Sequence, residues 1–93
     1  MKMIYPEELK AGDVFIYKGR ELTSIERGTP RPSEYKGLML LWVTRKEFFI
    51  YPEDEGKYTY GYTNACVEPI EYGKKIPLIC NIIEERRKTN GSM

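Results

Sequence analysis

The sequence predicts a mainly β domain, a small curved antiparallel barrel or roll of five or six short strands with a C-terminal helix. Three observations carry that prediction. Short apolar or aromatic runs such as DVFIY, LMLLWV and FFIY recur between turn-forming residues, the pattern of strands rather than helices. The glycines at 12, 19, 28 and 37 fall seven to nine residues apart, a turn spacing that suits short strands. The last apolar segment, LICNII, passes into EERRK, whose residues are good helix formers. Ninety-three residues make one small domain, taken here as residues 1–88 followed by a polar tail over 89–93.

Taken in order, Tyr5-Pro6 opens extended, and one helical turn over Glu7 to Lys10 is stopped by Gly12. Asp13 to Tyr17 and Arg20 to Glu26 read as two strands turning at Lys18-Gly19, with Val14 and Ile16 on one side and Phe15 and Tyr17 on the other. Lys is a poor residue where a tight hairpin needs positive φ, so a bulged loop is the alternative. GTPRPSEYKG, residues 28 to 37, has no apolar periodicity and reads as a long loop, either a recognition element or a crossover.

Leu38 to Val43 is apolar without alternation, as in a strand covered on both faces, with Trp42 as a core anchor. Phe48 to Tyr51 is the next strand after a turn at Thr44 to Glu47. PEDEG turns the chain, and KYTYGYTNACVEPIEYG holds one or two more strands. Residues 77 to 88 carry two competing patterns. Leu78, Ile79, Ile82 and Ile83 share a helix face, whereas Ile76, Leu78, Cys80 and Ile82 alternate as a strand does. The polar continuation favours the helix.

The opening LKAGDVFIYKGRELTSI resembles the first hairpin of an SH3-like barrel, in which a Gly-Asp pair precedes an apolar strand. That resemblance implies an architecture and carries no function.

Charge and composition narrow the chemistry. Fifteen basic against fourteen acidic residues leave a net charge of +1, which lowers the expectation of a nucleic-acid binder dependent on phosphate neutralisation. The longest apolar run is six residues, where a membrane helix needs about twenty, so a cytoplasmic protein with reduced Cys66 and Cys80 is expected. The chain has no histidine, the side chain best matched to proton transfer near neutral pH. Two cysteines make half a zinc site. Glu53, Asp54 and Glu55 form an acidic knuckle without calcium-loop spacing, and Glu68 and Glu71 are merely near in sequence. No cofactor, no metal site and no enzymatic activity are expected.

KYTYGYTN holds the strongest candidate. Tyr58, Tyr60 and Tyr62 at a period of two point to one side of an extended chain, either covering a core edge or forming a contact stripe. The expected function is that of a small inhibitor or adaptor acting by occupancy, with Tyr58, Tyr60, Tyr62, Arg27, Arg31 and Arg45 touching a protein partner. Its size suits a virus or mobile-element accessory protein. The alternatives are a nucleic-acid-binding barrel, with tyrosines stacking on bases and arginines on phosphates, and a binder of a nucleotide or similar small ligand.

Overall fold

The computed structural model describes residues 1–30, 37–53 and 58–91. Among the described residues there are eight strands: β1 (Lys2–Ile4), β2 (Asp13–Tyr17), β3 (Arg20–Ser24), β4 (Leu38–Thr44), β5 (Phe48–Pro52), β6 (Tyr58–Tyr62), β7 (Ala65–Glu71) and β8 (Ile76–Asn81). A 3-10 turn over Pro6–Glu8 precedes β2, and one α-helix, α1 (Ile82–Gly91), ends the fold. Six strands form an antiparallel sheet in the order β1-β8-β2-β3-β4-β7, while β5 and β6 form a separate pair. The expected five or six strands become eight among the described residues because the chain after residue 57 supplies two strands, split at Thr63-Asn64, the β1 segment also pairs, and the first part of the segment expected as helix forms β8.

The β2–β3 hairpin forms as the sequence predicts. Lys18 and Gly19 both take positive φ, 50° and 74°, which matches the right-handed twist of a tight hairpin. Phe15 and Tyr17 face the core with Leu22, Met39, Leu41, Val43 and Ile70. Each such buried side chain contributes about 1.5–3 kcal/mol relative to exposure.

Among the described residues the main sheet is antiparallel and does not close into the expected SH3-like barrel. Its two edge strands, β1 and β7, do not pair with each other. On the β7 side, side chains take the place of a neighbouring strand. The Glu71 N–H donates to the Tyr17 hydroxyl at 3.1 Å, Arg20 reaches Glu68, and Pro69 has no N–H to offer along that edge.

Two expectations are corrected here. Trp42 does not anchor the core: it is 46% exposed, because alternation along β4 gives the inner face to Met39, Leu41 and Val43 and turns Trp42 outward opposite Val67. The run LMLLWV is therefore covered fully on one face only. Residues 77 to 88 are not one helix either. β8 lies between β1 and β2 and pairs with both, and the strand gives way to the helix at Asn81.

Asn81 makes that switch. Its Oδ1 accepts the Glu84 N–H at 2.9 Å, satisfying one of the helix's orphan donors. Its Nδ2 donates to Asp13 Oδ1 at 2.8 Å and to the Ala11 carbonyl at 3.0 Å. Gly12 fits beside it at φ 88°, where a Cβ would lie 2.8 Å from Ile83 Cγ1; its carbonyl accepts the Ile82 N–H. Among the described residues no helix is long and apolar enough to cross a membrane.

Candidate functional site

β4–β7 and β5–β6 are two stretches of one long ribbon. Leu38 to Thr44 pair with Glu71 to Ala65, and after a break Phe48 to Pro52 pair with Tyr62 to Tyr58. Three residues, Arg45 to Glu47, face only Thr63 and Asn64 at the break, so one strand carries an extra residue, as in a β-bulge. Asn64 takes φ 53° there. Beyond it the ribbon leaves the sheet as an arm of five residue pairs, about 17 Å long at 3.3 Å per residue, in a molecule measuring 46 × 25 × 22 Å.

Three polar ties hold the arm's root. The Thr44 hydroxyl donates to the Thr63 carbonyl, the Thr63 N–H donates to the Glu47 carbonyl at 3.1 Å, and the Lys46 N–H donates to Thr44 Oγ1 at 3.1 Å. A fourth lies further out, where the Tyr60 hydroxyl donates to the Ile25 carbonyl at 3.1 Å.

The register decides which rings share a face. Phe48, Ile50 and Pro52 stand opposite Tyr62, Tyr60 and Tyr58. Tyr60 stacks on Phe48 with centroids 5.1 Å apart and planes 14° from parallel. With its hydroxyl bound and 37% of its surface exposed, Tyr60 braces the arm against the body. Tyr62 is 44% exposed on the same face. On the opposite face Phe49 and Tyr51 stack at 6.2 Å above Gly61 and Thr59, and both are exposed. Tyr58 is placed only by its backbone pairing with Pro52.

The arginines separate. Arg45 lies in the bulge, where its Nη2 donates to Glu68 Oε2 at 2.9 Å; Arg20 donates to the other oxygen of the same carboxylate. Burial works to raise the Glu68 pKa, but the hydrogen bonds and charges of Arg20 and Arg45 hold it below the usual glutamate range. Arg27 is exposed two residues beyond Ile25. Arg31 lies outside the described residues, as does most of the loop over 28–37 read as a recognition element or a crossover.

Sequence reading missed Phe48, Phe49 and Tyr51 as partners of the tyrosines. FFIYP and YTYGY flanking a turn are the sequence signal of a hairpin that carries rings on both faces. It also missed Arg20–Glu68, and a pair 48 residues apart leaves no local trace. Cys66 and Cys80 are free thiols on separate strands, and burial, helped by nearby Glu85, Glu21 and Asp13, pushes the Cys80 thiol up. Of the acidic knuckle, Glu53 accepts from Thr59, and Asp54 and Glu55 lie outside the described residues. Among the described residues no three His, Cys, Asp or Glu side chains gather as a metal site. Comparison with family models, curated proteins and solved structures finds no match.

Proposed function

We propose that this protein is a small non-enzymatic binder that acts by occupancy, as an inhibitor or adaptor, and that its arm docks a protein partner. One observation carries the reading: a two-stranded arm projects from the sheet with aromatic rings exposed on both faces, Tyr62 on one and Phe49 and Tyr51 on the other. Isolated hairpins are marginal in water, and exposed aromatic surface of this kind is concentrated at recognition sites, where Tyr and Phe give large contact area at small entropic cost. Arg27, exposed near Ile25, supplies charge at the rim. The Glu68 carboxylate already occupies Arg45 and Arg20, which favours a protein surface over a phosphate backbone.

The test is affinity capture from a lysate split into nuclease-treated and untreated halves, with wild-type protein and a Phe49→Ser/Tyr51→Ser variant of equal melting temperature. A discrete partner that survives nuclease and is lost with the variant supports the reading. Partners that vanish with nuclease make the arm a nucleic-acid binder, and capture unaffected by the variant removes the arm from the interaction.

A further inference from the structure

A groove of about 470 Å³ runs between β5 and the first turns of α1, walled by Phe48, Ile50 and Tyr51 on one side and Ile82, Glu85 and Arg86 on the other. Consecutive residues Phe48 to Tyr51 all line it. Side chains of consecutive strand residues alternate between faces, so the wall is the strand's backbone edge.

Among the described residues that edge is unpaired, and β5 has one strand neighbour, β6. The Thr63 N–H donating to the Glu47 carbonyl sets the phase of the ladder, since hydrogen-bonded and non-hydrogen-bonded pairs alternate. Phe49–Gly61 and Tyr51–Thr59 are then the bonded pairs, and Phe48 and Ile50 turn their N–H and C=O groups outward into the groove. Pro52 also falls at an outward position and has no N–H, so it ends the run of donors there.

Resting on the binding reading above, we infer that this edge receives one extended segment of a protein partner, which adds as a third strand beside β5 and inserts between the arm and α1. Size and charge define the occupant. The outward main-chain groups run from Phe48 to Ile50 and stop at Pro52, so the segment pairs over about three residues. A second copy of this chain does not fit. Its own β5 would bring β6 along on the far side, into the space of α1. Electrostatic complementarity completes the description. Outward N–H and C=O dipoles demand main-chain partners, exposed Arg86 suits an Asp or Glu on the segment while Glu85 on the same wall disfavours one placed beside it, and Ile82 gives an apolar residue its seat.

The probe is a phage-displayed library of linear heptapeptides, with the selected peptide then synthesised in plain and backbone N-methylated forms. In the free protein the Phe48 and Ile50 amides are expected to exchange at least tenfold faster than those of Phe49 and Tyr51. The plain peptide should slow them at least tenfold. N-methylation and Ile50→Pro should each weaken binding at least tenfold, and Arg86→Glu several-fold, which keeps the test sound if proline disturbs the arm. Slow exchange at Phe48 and Ile50 in the free protein, no selected peptide, or a peptide indifferent to N-methylation and Arg86→Glu overturns the inference. Loss of the nuclease-resistant partner in Phe49→Ser/Tyr51→Ser with its retention in Ile50→Pro leaves the binding function standing and removes strand addition; retention in both removes both.

Discussion

The six-stranded body and the two-stranded arm are built from one ribbon and the same kinds of residue, yet they spend their apolar side chains differently. In the body, Met39, Leu41 and Val43 of β4 and Ile70 of β7 are sealed against Phe15 and Leu22. In the arm, six residues further on, Phe49, Tyr51 and Tyr62 remain exposed, and the hairpin leans on the body through one tyrosine hydroxyl. Buried apolar side chains are therefore concentrated below the bulge and exposed rings above it. Local opening of the arm should need far less free energy than global unfolding.

The sharpest way to break this comparison is to empty the core. Phe15→Ala removes the largest fully buried side chain and is expected to destabilise by about 3–5 kcal/mol in urea denaturation; a loss below about 1 kcal/mol would mean the body is not the stable unit. Glu68→Gln comes next, at about 1–2 kcal/mol, a charged hydrogen-bond loss softened because both arginines are partly solvated. Its pH dependence has a definite sign. The folded carboxyl titrates below its unfolded value, so its contribution is complete above about pH 4.3 and is lost as pH falls through the folded value. Glu68→Gln should accordingly flatten the acid limb of the stability curve.

Trp42→Ala, on the open outer face, should lose only about 1 kcal/mol, since roughly half of a large side chain is buried there. Equal losses for Trp42→Ala and Phe15→Ala would show that the outer face is covered in solution. Within the arm, Tyr60→Phe deletes the hydroxyl that ties it down and should lose about 1 kcal/mol or less, read chiefly as faster amide exchange in β5 and β6 with the body unchanged. Tyr62→Ala should shift the melting temperature least, within about 0.5 kcal/mol. A large drop there would turn the display surface into core.

The sequence was legible wherever one local rule governed. β2 begins and ends where the turn residues place it, and period two correctly puts Tyr60 and Tyr62 on one face. It misled where an assignment depended on distant chain. LMLLWV reads as doubly covered, but what lies above Trp42 is decided by how the sheet curls. The segment from 77 to 88 holds both helix and strand patterns because it is both, and the switch is Asn81, whose value as a cap is readable in N-I-I-E. The bonds that fasten it to Asp13 and Ala11, nearly seventy residues away, are not. Glu68 likewise looks like any strand glutamate until Arg20 of β3 and Arg45 of the bulge close on it.

The extra residue among Arg45, Lys46 and Glu47 is in effect a counter. Because strand side chains alternate, one residue more or fewer exchanges the two faces of everything that follows. Above the bulge, Phe48 and Ile50 share Tyr60's side, and Phe49 and Tyr51 are displayed. Deleting any one of the three would present the other set outward while leaving every aromatic residue of the arm in the chain. Which rings the arm displays is thus written in a length as much as in an alphabet, and a single-codon deletion there is expected to exchange the displayed set without removing any ring from the chain.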